Sequence, residues 1–149
     1  MRRLVLALGA ALLAGCAKSE APPAEPPAPP PAPTLNLADL AGTWNMKTMA
    51  EGSDSTLLTY TMTLTGTTEG WTINFPGRDP MPMSVSVSGD SVMTSVAPYQ
   101  SMLRKGVQVS TTSVVRLVDG KLVGTSIARY ATTAADSVVR LRMEGTRNP

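Results

Sequence analysis

The chain has 149 residues, a formal net charge of +2 at neutral pH, no histidine and a single cysteine. Its near-balanced charge and its aromatic content of 4% argue against the basic, aromatic-rich surface of a nucleic-acid-binding protein, so we expect no nucleic-acid partner. Without histidine the chain lacks the commonest general base and metal ligand, and one cysteine cannot form a disulfide within the chain.

The N-terminal segment has the pattern of an export signal. Arg2 and Arg3 precede an apolar run over residues 4–13. This run is shorter than the about 20 residues that a membrane-spanning helix needs. A basic start, a short apolar run and small residues after it are typical of a secretory signal peptide.

The end of this segment, Leu13-Ala14-Gly15-Cys16, resembles the lipobox of bacterial lipoproteins. The resemblance implies that residues 1–15 are a lipoprotein signal peptide, and that Cys16 carries a diacylglyceryl thioether with a further acyl chain, such as palmitate, on its new amine. The protein would then be lipid-anchored in the cell envelope. Ala17, in the place of an aspartate, implies the outer membrane, on its periplasmic or surface face. An ordinary signal peptide with a chance cysteine is the alternative.

Residues 16–34 are predicted to comprise the lipidated Cys16 and a linker rich in proline and alanine. Eight of the 13 prolines of the chain lie in this stretch, mostly beside alanine. Such a composition buries too little apolar surface to fold, so we expect disorder with polyproline II character. At about 3.1 Å per residue the linker would reach up to ~55 Å. A proline-rich ligand for a binding domain is the alternative interpretation.

Residues 35–149 are long enough for one domain, and alternation of apolar with small polar residues predicts an all-β fold. One apolar and one polar face per strand are typical of an antiparallel sheet that covers a core. Eight such strands can close into an up-and-down β-barrel, and a β-sandwich is the alternative. The predicted strands are 42–50, 56–65, 70–75, 81–88, 91–97, 107–118, 121–131 and 137–145.

Two hairpins have a predicted register. Asp119-Gly120 suits a two-residue type I′ turn that pairs Leu117 with Leu122, and Gly89-Asp90 suits a second tight turn. In the longer hairpin this register turns Arg116 and Arg129 outward, because the opposite choice would place both charges in the core. The inward residues at its centre are then all small: Thr111, Ser113, Gly124, Ser126 and Ala128.

Small inward residues leave two possibilities for the barrel interior. Either large residues from other strands fill it to normal density, or a ligand cavity remains. The residues available for filling are Trp44, Met46, Tyr60, Met62, Trp71, Phe75 and Met83. The candidate ligand-binding residues are Trp44, Tyr60, Trp71, Phe75, Thr111, Ser113, Gly124, Ser126, Ala128 and Tyr130.

The stretch LADLAGTWNMKTMA, with Gly42-x-Trp44 at the start of the first strand, resembles the opening of lipocalins and their calycin relatives. The resemblance implies a small barrel whose tryptophan packs at the closed end under a basic side chain of the last strand. Arg140 and Arg142 are the candidates for this cation–π contact. Between the fifth and sixth strands, Pro98 and Gly106 can begin and end a short helix, which we expect to cap one end as a lid or a plug.

The chain offers little catalytic chemistry. Five of its six aspartates lie at predicted turns: Asp54, Asp79, Asp90, Asp119 and Asp136. No two carboxylates share a predicted inner face, and neither a nucleophile elbow nor a phosphate-binding loop is present. Met81-Pro82-Met83 is the nearest approach to a copper(I) motif, but adaptable packing accounts for its methionines more simply. We therefore expect no enzyme activity, no cofactor and no metal site.

Two functions remain from the sequence. The first is a lipid-anchored barrel that binds an apolar or amphiphilic small molecule at its mouth, because barrel mouths are common ligand sites. The alternative is a non-enzymatic protein-interaction lipoprotein, such as an envelope-assembly accessory or an enzyme inhibitor, with an unknown envelope protein as its partner. A solid interior would favour the alternative.

Overall fold

The computed structural model describes residues 34–149, which belong to one compact unit. The signal peptide, Cys16 and the linker up to residue 33 lie outside the described residues. None of the helical structure within 34–149 is both long and apolar enough to cross a membrane. The described residues contain every strand given below, so a fragment of residues 34–149 holds the whole sheet and its core.

One short 3₁₀ helix, Leu37–Leu40, precedes a single antiparallel sheet. Strands that are adjacent in this sheet are also adjacent in the chain, except that β1 also pairs with β9. The strands are β1 (Gly42–Ala50), β2 (Thr56–Leu64), β3 (Thr72–Asn74), β4 (Met81–Pro82), β5 (Ser84–Ser88), β6 (Ser91–Gln100), β7 (Gln108–Val118), β8 (Lys121–Tyr130) and β9 (Val138–Arg147).

The sheet curls into a nearly closed barrel, and the last gap is bridged at Met83. β4 pairs with β3 and β5 pairs with β6, while only Met83 separates β4 from β5. The Met83 N–H donates to the carbonyl of Trp71 at 2.9 Å, which extends the pairing with the β3 side by one residue. The strand predicted at 81–88 is therefore one extended segment that pairs first with β3 and then with β6. The predicted up-and-down barrel is confirmed, and the alternative β-sandwich is not what forms.

Both predicted hairpin registers are confirmed. β7 and β8 pair Leu117 with Leu122, across a turn in which Asp119 has φ +50° and Gly120 has φ +74°. Positive φ at both central residues is the signature of a type I′ turn. β5 and β6 pair through a turn whose first residue, Gly89, has φ +60°, which fits type II′. Arg116 and Arg129 are exposed, as the register requires.

The interior is filled mainly by long side chains from the strands opposite the small ones. Seven residues predicted as fillers are all buried: Trp44, Met46, Tyr60, Met62, Trp71, Phe75 and Met83. Four of the five small residues of the long hairpin, Thr111, Ser113, Ser126 and Ala128, line the interior as predicted. Large residues from one side of the barrel thus occupy space that the small residues on the other side leave.

One end of the barrel, which we call the closed end, is sealed around Trp44. The Trp44 Nε1–H donates to the carbonyl of Leu40 at 2.8 Å, and the Arg147 guanidinium lies 4.6 Å from the indole centroid. Arg147 also donates to the carbonyls of Asp39, at 2.6 Å, and Ala41. This single arginine therefore fastens the lead-in segment to the last strand.

The prediction that Arg140 or Arg142 makes this cation–π contact is wrong. Both alternate with the buried residues Leu141 and Met143, so they lie on the outer face of β9. The strand runs to Arg147, two residues beyond its predicted end at 145, and Arg147 has the same parity as Met143. A basic side chain of the last strand does cover the tryptophan, but this residue, Arg147, lies beyond the predicted end of the strand.

The predicted helix from Pro98 to Gly106 is also wrong. β6 continues through Gln100 and pairs Tyr99 with Val109, with an irregularity in its register between Val96 and Tyr99. The irregularity accommodates Pro98, which has no N–H to donate to the neighbouring strand. It also interrupts the alternation of inward and outward residues from which the strand was predicted. Residues 101–107 then form a non-helical turn.

A candidate ligand chamber at the open end of the barrel

The end opposite Trp44, which we call the open end, is bounded by the connections between strands at 51–55, 75–80, 101–107 and 131–137. Beneath them lies a cavity of about 50 Å³, which we call the chamber. Its lining comprises Thr48, Leu58, Tyr60, Met62, Ile73, Phe75, Met83, Val96, Tyr99, Ser101, Met102, Leu103, Val109, Thr111, Ser113, Ser126, Ala128, Tyr130, Leu141 and Met143.

The chamber lining carries hydroxyl groups and no charged side chain. Ser113 and Ser126 face each other from β7 and β8, and their Oγ atoms are 2.9 Å apart. Thr48 on β1 donates from Oγ1 to the Tyr60 hydroxyl at 3.4 Å. Because each hydroxyl can donate and accept, the lining can adapt to a ligand carbonyl or hydroxyl without adding charge.

Aromatic rings form one side of the chamber. The Phe75 ring lies 5.3 Å from that of Tyr60 and 5.4 Å from that of Tyr99, centroid to centroid, which are ordinary aromatic packing distances. Burial raises the pKa of Tyr60 to about 12 and also raises the pKa of Tyr99. Both phenols are therefore neutral hydrogen-bonding groups at physiological pH.

A strap, defined as residues 101–107, covers the chamber. The Ser101 Oγ accepts from the N–H of Leu103 at 3.1 Å and from the N–H of Arg104 at 2.9 Å. At the base of the strap the Ser101 N–H donates to the Val107 carbonyl at 2.8 Å. This turn directs Met102 and Leu103 over the chamber, and Met102 packs against the core.

Arginines fasten the strap at both sides. The Arg104 guanidinium lies 4.0 Å from the centroid of the Tyr130 ring, and its Nη2 is 2.6 Å from the Asp136 carboxylate. On the other side Arg78 donates to the carbonyl of Gln100, directly before the strap. The strap is thus connected to the 75–80 and 131–137 segments by side chains rather than by strand pairing.

Most of the candidate ligand-binding residues meet at the chamber. Tyr60, Phe75, Thr111, Ser113, Ser126, Ala128 and Tyr130 all line it. Trp44 and Trp71 instead lie at the closed end, where the Trp71 Nε1–H donates to the Thr67 carbonyl at 2.8 Å. Gly124 lies on β8 between the two ends, against the backbone of β7.

Sequence reasoning missed several chamber residues. Thr48 has the same strand parity as Trp44 and Met46, so alternation along the first strand was sufficient to place it inside. Tyr99, Met102 and Leu103 were assigned to a helix, and no sequence signal indicated that the strand continued past Pro98. The contacts of the strap could therefore not be predicted from the sequence pattern.

A second concave feature, of about 600 Å³, lies on the outer face of the barrel and is called the outer groove. Polar side chains from β1, β2 and β9 border it, among them Lys47, Thr59, Thr61 and Glu144. Lys47 Nζ is 2.9 Å from a Glu144 carboxylate oxygen, and this hydrogen bond lowers the pKa of Glu144. The groove is open and is bordered by charged side chains, in contrast to the chamber.

Within residues 34–149, no three histidine, cysteine, aspartate or glutamate side chains come together as metal ligands would. Comparison of the chain with protein-family models, with curated proteins and with solved structures gave no match.

Proposed function

We propose that the barrel binds a small, neutral molecule with an apolar body and a carbonyl or hydroxyl group in the chamber. The observation that supports this is the lining: hydroxyls and aromatic rings without a charged side chain, under a strap held by side-chain contacts alone. An apolar cavity with a few placed polar groups is the usual composition of a small-molecule site.

The size of the chamber limits what can enter without movement. Ligand pockets commonly measure about 300–1,000 Å³, whereas this cavity of about 50 Å³ has room for a few water molecules. A larger ligand must displace Met102 and Leu103, which lie on the strap. Methionine is unbranched and adapts to new packing at little energetic cost, so Met62, Met83 and Met143 on the lining can also shift.

The test uses a fragment of residues 34–149, first shown to melt cooperatively. Native mass spectrometry looks for a co-purified ligand, and titration with the neutral fluorescent probe N-phenyl-1-naphthylamine measures uptake. Ala128 is buried in the chamber wall, whereas Ala97 is exposed on β6 near the same end. We expect Ala128→Leu to reduce probe binding at least tenfold, roughly the effect of losing one good apolar contact.

The matched change Ala97→Leu adds the same atoms outside the barrel and should leave probe binding within about twofold of the wild type. Absence of co-purified ligand together with no probe binding would contradict the proposal. Equal binding by Ala128→Leu and the wild type would place the probe elsewhere on the protein and would also contradict it.

The second candidate is a protein-interaction module, and the nearly filled interior favours it. Its contact surface would then be an outer one, and the outer groove, of about 600 Å³, offers both charged side chains and hydroxyls. A photo-crosslinking residue at Thr59, in the groove, should capture one envelope protein in cells of the source organism. The same residue at Ser86, on the exposed face of β5, is the control.

We further propose that Cys16 is lipidated and anchors the barrel in the cell envelope through the linker. The support is the tetrapeptide Leu13-Ala14-Gly15-Cys16 and its place after a short apolar run. The chain enters the barrel at the closed end, where the Leu35 N–H donates to the Gly89 carbonyl at 3.5 Å. Leu35, near the start of the described residues, therefore lies at the end of the barrel opposite the chamber.

A further inference from the structure

We propose that the strap is a gate to the chamber and that Arg104 holds it shut. This inference rests on the proposed function, since a gate has a role only if the chamber takes up a ligand. The gate determines how fast a ligand enters and leaves, while the chamber lining determines which ligand fits.

The strap has few other attachments. Its backbone makes no strand pairing between Gln100 and Gln108. Its hydrogen bonds join residues of the strap to one another: Ser101 accepts from the Leu103 N–H and donates to the Val107 carbonyl, and the Val107 N–H donates to the Arg104 carbonyl. A segment with few contacts outside itself can open without unfolding the sheet. Opening must break the contacts of Arg104, lift Met102 from the core and move Leu103 away from the chamber.

Stacking on Tyr130 contributes more to closure than the ion pair does. The Arg104 side chain is 27% exposed, whereas that of Asp136 is 66% exposed, so solvent screens their attraction strongly. A guanidinium over an aromatic face is an attractive contact that depends on its planar shape. Lysine in this position would keep the charge but lose the planar stack.

These contacts predict an order of effects. Arg104→Ala removes both contacts and should raise the open population roughly tenfold. Arg104→Lys should produce most of that increase, because the planar stack is lost. Asp136→Asn removes only the screened ion pair and should change the open population less than about threefold.

Hydrogen exchange of the ligand-free 34–149 fragment provides a measurement that does not depend on any ligand. The amides of Leu103, Arg104 and Val107 donate to acceptors inside the strap, and we expect the turn to lose its shape when the strap opens. These amides should therefore exchange roughly tenfold faster in Arg104→Ala than in the wild type. Amides of β7 and β8 should not change. Arg116→Ala is the control, because Arg116 lies 3.8 Å from Asp90 in a surface pair at the closed end, far from the strap.

Stopped-flow binding of N-phenyl-1-naphthylamine then connects the strap to entry. This probe is larger than the chamber of about 50 Å³, so its entry requires opening. We expect Arg104→Ala to accelerate association roughly tenfold, because more of the free protein is open, and to change dissociation less, because the bound probe already displaces Met102 and Leu103. Arg116→Ala should leave both rates unchanged.

The outcomes distinguish the gate from the function beneath it. One outcome is faster exchange in the strap of Arg104→Ala but no probe binding by any variant. The strap would then be loosely held, but it would not be a gate, and the proposed function would also be overturned. Probe binding with unchanged exchange and unchanged rates in Arg104→Ala would overturn the gate and leave the proposed function standing.

Discussion

Tyr60 shows how one residue combines packing with chemistry in this barrel. Its ring is buried against Phe75, and its hydroxyl accepts from Thr48 inside an uncharged chamber. The alternation in TYTMTL was sufficient to predict that it points inward. The identity of its partner, Thr48, follows from the pairing of β1 with β2, which places Met46 opposite Tyr60 and Thr48 one step further along the same face. The inward direction could be predicted, whereas the contact could not.

The raised pKa of Tyr60 gives a pH-dependent stability. The unfolded tyrosine ionises near pH 10.0, whereas the buried one ionises near pH 12. Between these values the unfolded state binds fewer protons than the folded state, so stability is full below pH 10 and declines as pH rises toward 12. The decline should reach roughly 2–3 kcal/mol. Urea unfolding at about pH 9 and about pH 11.5 measures it.

Tyr60→Phe is the matched variant, because it keeps the ring and removes only the ionising group. The loss of stability between the two pH values should shrink in this variant, although Tyr99, whose pKa is also raised, keeps part of it. The wild type and the variant losing the same stability over this range would contradict the placement of the Tyr60 hydroxyl in the chamber.

At the scale of elements, the sequence predicted those features that local chemistry determines. The β7–β8 register follows from Asp119-Gly120, because a two-residue turn leaves no freedom in the pairing. Two features depended on contacts distant in sequence. The extension of β6 past Pro98 is held by pairing with β7, and the extension of β9 to Arg147 is held by pairing with β1. Propensity and alternation carry no signal for such partners.

The β7–β8 hairpin also contains a constraint that its turn does not reveal. At Gly124 a Cβ atom would overlap the carbonyl oxygen of Val114 and crowd the side chain of Val115. The overlap is with backbone, so it cannot be relieved by a rotamer change. We predict that Gly124→Ala lowers the free energy of unfolding by about 1–3 kcal/mol or more. Chemical denaturation with an unchanged m-value checks this.

Gly66→Ala is the control for this prediction. The nearest atom to a Cβ at Gly66, the Cα of Ala38, is 3.6 Å away, which is an ordinary contact distance. This change should alter stability by less than about 0.5 kcal/mol. A Gly124→Ala protein as stable as Gly66→Ala would mean that the two strands are farther apart than described.

At the scale of the whole molecule, the two ends of the barrel have different roles. The closed end receives the chain and is fastened by Trp44 and Arg147. The open end holds the chamber and the strap, whose attachments are side-chain contacts. The contacts that fasten the lead-in segment and the proposed ligand site therefore lie at opposite ends of the barrel, and we expect substitutions at the strap to have little effect on the stability of the sheet. The up-and-down topology produces this separation, because alternate connections lie at alternate ends.

The last prediction concerns how the molecule is held at a membrane. If Leu13-Ala14-Gly15-Cys16 is a lipobox, Cys16→Ala removes the sulfur that accepts the diacylglyceryl group, and processing before residue 16 should stop. The variant should accumulate as a precursor about 15 residues longer than the mature chain, held at the membrane by its apolar run. It should take up no label from an alkyne fatty acid. Lys18→Ala, two residues beyond, should be labelled and cleaved like the wild type. Acyl chains on Cys16, each buried CH₂ contributing about 0.8 kcal/mol, are what would hold the mature protein at the membrane. Normal cleavage and labelling of Cys16→Ala would therefore show that Cys16 is not the anchor.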